Sequence, residues 1–173
     1  MAPRSDIFDL GGLRLTSGEG RHLELEVTIG PFELAGERYT VEPPQIPVRL
    51  EVSKTTGNGY ALRLQFAARL AGPCMRCLSG AEPEFPVEAW EISQPGEGDV
   101  LESPYVDRGE LNLRDWARDA LALVLPAQIL CRPDCAGLCS ICGADLNAAG
   151  PGHQHEREPD PRWSKLSELK FDG

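Results

Sequence analysis

Lysine is nearly missing from this chain: of 17 basic residues only Lys54, Lys165 and Lys170 are lysines, and the formal net charge is −10. That balance excludes a protein that coats nucleic acid over its whole surface, because neutralising phosphates takes clustered cations. The arginines are dispersed rather than gathered in one run, so any RNA contact has to be local. Aromatic residues are also scarce, with 5 Phe, 3 Trp and 3 Tyr, while 18 glycines and 15 prolines punctuate the sequence. Such punctuation argues for short strands and turns and against a helical bundle. No run approaches the roughly 20 apolar residues that cross a bilayer, and Met1–Asp9 lacks the apolar core of a signal peptide. The expectation is a cytoplasmic protein with no membrane partner. Missing too are a G-x-x-x-x-G-K-[ST] phosphate loop, an H-E-x-x-H helix and any Ser, His and Asp arrangement that stands out.

At 173 residues the chain has room for one main core plus a small appended module. Residues 22–29 alternate Leu23, Leu25, Val27 and Ile29 with polar neighbours, the period of a strand with one buried face. Similar runs at 38–41, 46–52, 60–70 and 85–92 predict four or five antiparallel strands. Lys54–Gly59 reads as a hairpin tip, since Asn58 and the glycines tolerate positive φ, so 46–52 and 60–70 should pair across it. The stretch 94–109 is acidic and turn-rich, a surface loop with at most a short strand near Tyr105. After it Asn112 caps a predicted helix with Asp115 in its first turn. Leu113, Trp116, Ala117, Ala120, Leu121 and Val124 share one face, and Pro126 ends the helix. Trp116 reads as core, not as a base-stacking platform. A short helix is expected at 164–169. The layout is α+β: an antiparallel β-sheet or partial barrel with one packed helix and a C-terminal zinc-binding segment. Residues 1–128 would form the β domain and 129–173 the zinc-binding segment, docked on it through Cys74 and Cys77.

Chemistry concentrates in the cysteines. Cys131, Cys135, Cys139 and Cys142 place four thiols within twelve residues, and Cys74-Met-Arg-Cys77 supplies a second Cys-x-x-Cys pair. In a reducing compartment such spacings read as metal ligands before disulfides. Zinc takes tetrahedral sulfur and nitrogen donors, and two-residue gaps let both thiolates of a turn point at one ion. Gly143 follows Cys142 where glycine's conformational freedom suits such a turn. His153 and His155 bring the donors to eight, enough for two ions and at the least one. The favoured partition joins Cys74, Cys77, Cys131 and Cys135 on one ion and Cys139, Cys142, His153 and His155 on the other. A single site of the four clustered cysteines is the rival, and adjacent-but-one imidazoles could crowd an ion so that only one ligates. Closed four-donor sites contribute folding energy, not catalysis, so no catalytic residue is expected. A hydrolytic zinc would need an open position beside a carboxylate such as Glu156, and thiol redox chemistry would need a βαβ context. His22 reads as an exposed strand residue, and Gly11-Gly12 as a turn too short to cradle phosphates.

The opening Phe8-Asp-Leu-Gly-Gly-Leu-Arg-Leu-Thr-Ser-Gly18, the pair Cys74-Met-Arg-Cys77, the helix 111–126, the run Cys131–Asn147 and the ending Asp160-Pro-Arg162 resemble the YceD family, the large ribosomal RNA subunit accumulation proteins. The likeness implies a non-enzymatic factor acting on a precursor of the large subunit, with precursor RNA or a large-subunit protein as partner and no DNA. It also implies that both histidines ligate, since many relatives carry cysteines there. Some relatives keep the first donor group and lose the second, which favours two sites. On this reading zinc stiffens loops that present Arg76, Arg132 and Arg162 to RNA. A zinc-stabilised protein-interaction adaptor without RNA contact is the competing expectation.

Overall fold

The structure, a computed structural model, describes residues 6–96 and 101–155. The chain divides into two compact units, Met1–Cys135 and Ala136–Gly173. Cys131 and Cys135 lie with Cys74 and Cys77 in the first unit.

In the first unit, β1 (Phe8–Asp9) leads through a single turn, Gly11–Leu13, to β2 (Gly20–Thr28), β3 (Phe32–Leu34), β4 (Glu37–Glu42) and β5 (Gln45–Lys54). Then come β6 (Tyr60–Pro73), β7 (Gly80–Ala81), β8 (Glu84–Ser93), β9 (Val106–Asp107), β10 (Glu110–Leu111) and α1 (Leu113–Val124). All the pairings are antiparallel, and β6 organises them. Its first half pairs with β5, Leu50 opposite Leu64, and its second half with β4, Val41 opposite Leu70, while β8 runs along its other edge with Leu64 opposite Ala89. β4 and β5 therefore form one interrupted line beside β6, broken at Glu42-Pro43-Pro44, where the Glu42–Pro43 bond is cis. A proline pair cannot donate ladder hydrogen bonds, so the line breaks there. β2 pairs with β5 from Gly20–Ser53 to Thr28–Gln45.

Alternation does what the pattern predicts. Ile46, Val48, Leu50 and Val52 of β5 and Leu62, Leu64, Phe66, Ala68 and Leu70 of β6 are buried, with their neighbours on the outer face. That outer face is charged: Arg49 Nε pairs with Glu24 at 3.0 Å, and Arg63 bridges Glu51 and Glu88. His22 stands exposed beside Glu51 at 3.4 Å. The hairpin tip forms where expected, with Gly57 at φ 76° and Asn58 at φ 67°, and pairs Lys54 with Tyr60.

The helix forms over the expected residues, but Val124, expected on its apolar face, is 39% exposed in its last turn. The Asn112 side chain accepts the Asp115 amide at 3.1 Å, and Leu113, Trp116, Ala117, Ala120 and Leu121 are buried. α1 packs against β8 and β2. Trp116 is only 3% exposed and stacks on Tyr105, whose hydroxyl donates to Asp119 at 3.0 Å, so it is a core residue. The stretch read as a loop holds more order than expected: β9 and β10 form a hairpin, and β10 also pairs with β1. Among the described residues no helix is long and apolar enough to cross a membrane. The expected helix at 164–169 and Arg162 lie outside the described residues.

Candidate metal centres

All eight sequence-predicted donors assemble into two groups: Cys74, Cys77, Cys131 and Cys135, and separately Cys139, Cys142, His153 and His155, each with its donor atoms within 4.8 Å of one another. The four cysteines clustered in sequence are thus divided between the two groups.

β6 delivers the first group. Its C-terminal end runs into Cys74, and Tyr39 anchors that end: the ring is fully buried and its hydroxyl donates to the Pro73 carbonyl at 2.7 Å. Gly72 is required beside it, since a Cβ there would meet the Tyr39 ring, with Cγ at 2.9 Å. The segment after the helix is held against the knuckle by the Met75 amide, which donates to the Ile129 carbonyl at 2.9 Å, and by the Ile129 amide, which donates to Met75 Sδ at 3.3 Å.

The two Cys-x-x-Cys turns share one hydrogen-bond pattern. The Cys74 amide donates to the Ser79 carbonyl (2.7 Å) as the Cys139 amide does to Ala144 (2.8 Å), five residues on in both. Likewise the Leu78 amide donates to the Cys74 carbonyl (2.9 Å) and the Gly143 amide to that of Cys139 (2.8 Å). Both turns need a left-handed residue after the second cysteine. Glycine supplies it in one, at φ 72°, but in the other Leu78 adopts φ 62° with its side chain 67% exposed.

Backbone amides prepare the leading thiols. Burial pushes Cys74 up, but amides of Cys77, Arg76 and Cys131 and the Cys77 side chain outweigh it and bring the thiol down to about 6. In the second turn the amides of Cys142 and Ile141 lower Cys139 to about 6 against burial, with help from His153. Thiolates are the species that bind metals, so these two are the readiest ligands of each set. Ser79 lowers Cys77 through its hydroxyl, Oγ lying 2.9 Å from the sulfur. Cys131 behaves oppositely: burial and the neighbouring sulfurs of Cys77, Cys135 and Cys74 push it up to about 12. Four thiolates crowd one another unless a cation lies among them.

The distances test whether zinc fits. An ion about 2.3 Å from each sulfur sets tetrahedral sulfurs about 3.8 Å apart, and Cys74–Cys135 and Cys77–Cys131 stand at 3.8 and 3.6 Å. A disulfide would need about 2.05 Å, and all six cysteines are free thiols. With nitrogens at about 2.0–2.1 Å the corresponding S–N edge is about 3.6 Å. Cys139–His155 and Cys142–His153 lie at 3.3 and 3.4 Å. The two Nε2 atoms approach to 2.9 Å with their rings edge to face, closer than the about 3.3 Å that two nitrogens on one tetrahedral ion keep, so the imidazoles would part by a few tenths of an ångström around it. Residues of both sets fit a tetrahedral ion. The first set is largely buried and the second more exposed.

The frame of the second set was missed in sequence. Asn147 Oδ1 accepts the Ala136 amide at 2.8 Å, Asp145 caps the short helix α2 (Leu146–Ala149), and Leu138 bridges to Asp145. Gly150 at φ 72° ends that turn, and its carbonyl receives the His153 amide at 3.2 Å. An Asp-x-Asn pair just before a run of small residues is the signal that could have revealed this cap.

Two of the three arginines expected to face RNA, Arg76 and Arg132, are engaged. Arg76 Nη1 donates to the Cys135 carbonyl at 3.1 Å and Nε to Gln128 at 3.2 Å, so it braces the first donor loop. Arg132 Nε pairs with Asp134 at 3.2 Å.

The family model "Large ribosomal RNA subunit accumulation protein YceD" matches residues 62–170, which contain every donor of both sets. The uncharacterized proteins Rv2926c of Mycobacterium tuberculosis and Mb2951c of Mycobacterium bovis are each 39% identical over 166 residues, 90% of this chain and 78% of the relative. The uncharacterized protein ML1660 of Mycobacterium leprae is 33% identical over 161 residues, 87% of this chain and 71% of the relative. No solved structure matches the chain. By the family match, which covers more than half of its length, this chain belongs to the YceD family.

Proposed function

We propose that this protein is a non-enzymatic, zinc-binding factor for large ribosomal subunit assembly, acting in the cytoplasm on a precursor through its RNA or a large-subunit protein. The pair of equivalent Cys-x-x-Cys turns, each completed to four donors, carries the zinc part. Zinc bound there would supply cross-links: the first set ties the end of β6 to the segment after α1. Four protein donors leave no open coordination position, which supports a structural rather than a hydrolytic role. The ribosomal part rests on the family's description.

Sedimentation tests it. The tagged protein is expected to travel with large-subunit precursors on a sucrose gradient and to leave them after ribonuclease. Confinement to the top of the gradient would sink the ribosomal reading. Leu78, held exposed in a left-handed conformation at the first knuckle, favours a second reading, a zinc-stabilised adaptor that binds protein alone. Co-sedimentation that survives ribonuclease would select it.

A further inference from the structure

At the start of β6, a strand's length of about 46 Å from Cys74 at about 3.3 Å per residue, lies a cleft of about 640 Å³. Arg14, Lys54 and Arg108 line it together with the backbone of Gly11 and Gly109, and no Asp or Glu is among its described lining residues. In a chain of net charge −10 this concentration of cations is the reverse of the average surface. The larger cleft, about 700 Å³ on the outer sheet face, shows the contrast: its Arg49 sits among Glu24 and Glu88.

Three separate segments are fastened to make the cationic cleft. The Leu10 amide donates to the Gly109 carbonyl at 2.8 Å, joining the Gly11–Leu13 turn to the β9–β10 hairpin. The Gly18 amide donates to the Lys54 carbonyl and the Lys54 amide to Glu19, both at 2.9 Å, joining the first segment to the β5–β6 tip. Lys54 Nζ is fixed 3.9 Å above the Tyr60 ring and bonds the Asn58 side chain at 2.7 Å. Asp9 accepts the Gly12 amide at 3.0 Å and is not part of the lining. Arg108 meets Asp107 at 3.7 Å, but both side chains are about nine-tenths exposed, so water screens the pair.

The backbone at two of these cations is unusual. Arg108-Gly109 is the two-residue loop of a hairpin with φ of 48° and 85°, a turn that ordinarily takes Asn-Gly. Arg14 stands at φ 51° at the end of the Gly11–Leu13 turn. Long charged side chains occupy left-handed positions that Asn would fill with less strain, and both line the same cleft.

We infer that this cleft is a binding site for the phosphate groups of single-stranded RNA. The inference rests on the ribosomal reading above for the identity of the polyanion. Its volume is that of a site for a small ligand or a nucleotide-sized piece of a chain. Leu15 and Val106 give it apolar wall for a base or ribose beside the cations. A duplex would need a broad basic face, and this cleft offers three cations, Arg14, Lys54 and Arg108.

The test uses the full metal-loaded chain, a fluorescent short oligouridylate and the variant R14N/R108N, in which Asn keeps the left-handed backbone comfortable. Each lost phosphate contact removes about 0.7 from the slope of log K against log salt for single strands. The variant's slope should therefore fall by about 1.4 and its affinity several-fold, with circular dichroism unchanged. Gly11 and Gly109 amide resonances should shift in the wild-type protein on adding the oligonucleotide. An unchanged slope and affinity in the variant would overturn the inference. Inorganic phosphate alone shifting those amides as strongly as the oligonucleotide at equal concentration would overturn the assignment to RNA. A variant that binds RNA normally and still co-sediments with precursors would sink the cleft while leaving the ribosomal reading intact. Oligonucleotide binding lost in the variant, with no wild-type co-sedimentation, would support the cleft and sink that reading.

Discussion

Replacing Cys74 and Cys77 by alanine removes half of the first donor set and with it the cross-link between β6 and the segment after the helix. Cys77 and Cys131, whose sulfurs lie 3.6 Å apart, are 54 residues apart in sequence. Closing a loop of that length costs the unfolded chain about 4 kcal/mol in the chain-entropy treatment of a cross-link, and the same closure applies to a link through an ion. Lost packing at the buried Cys74 adds to this, so 4 kcal/mol is a floor. For a unit of this size each kcal/mol moves Tm by roughly 4 °C, which gives a fall of about 15 °C. Thermal unfolding of zinc-loaded wild type and variant, followed by tryptophan fluorescence, measures it. Chelator should lower the wild-type Tm by a similar amount and leave the corresponding transition of the variant nearly unmoved. A variant that melts within about 5 °C of wild type would refute the claim that this donor set ties the fold together.

Gly72→Ala forces a methyl group into the Tyr39 ring and is expected to cost about 1–3 kcal/mol of overpacking, whereas Tyr39→Phe strips the Pro73 carbonyl of its donor for about 1–2 kcal/mol. Because relieving the ring relieves the clash, a double-mutant cycle of Gly72→Ala with Tyr39→Ala should show strong coupling, and additive effects would contradict the contact. Tyr105 is pushed up to about 12, by burial first and then by its bond to Asp119. Below about pH 10 folded and unfolded forms both hold that proton; between about 10 and 12 the unfolded form releases it first, so stability falls as pH rises through that window. Tyr105→Phe should abolish a late step in the tyrosinate absorbance titration, and an unaltered curve would count against the Tyr105–Asp119 bond. Asn112→Ala removes the cap of α1 and is expected to cost about 1 kcal/mol in urea unfolding.

The strands were legible because β2, β5 and β6 each bury one face of a sheet, which stamps a period of two on Leu23–Ile29, Ile46–Val52 and Tyr60–Leu70, while β8 keeps that period only over Phe85, Val87 and Ala89 before Trp90 and Ile92 turn outward. Adjacent pairing followed from the Asn58-Gly59 tip. What periodicity does not carry is register between strands distant in sequence. That β4 and β5 line up along one edge of β6 depends on a break at Pro43-Pro44 whose direction no side-chain pattern records. The β9–β10 hairpin escaped because its strands are two residues long and its turn is Arg108-Gly109, without the Asn that marks such a loop.

Cysteine spacing named the donors, yet their grouping is set by topology: Cys74 and Cys77 follow the end of β6, and the Met75–Ile129 bond brings Cys131 and Cys135 alongside. Arg76 illustrates the opposite limit. Lying between two donors it reads as an outward-facing residue, but a planar guanidinium finds the Cys135 carbonyl and Gln128 within reach, and only the fold shows them there. Leu78 went unnoticed for a similar reason, although setting Cys74-x-x-Cys77-Leu beside Cys139-x-x-Cys142-Gly exposes the position that wants glycine.

The most direct measurement is native mass spectrometry of the intact chain purified without chelator, alongside C74A/C77A and Cys142→Ala. Two zinc ions on the wild type and one on each variant are predicted, each variant having lost a different donor set. A wild-type chain that carries no zinc, or a single ion lost from both variants alike, would contradict the two-centre account.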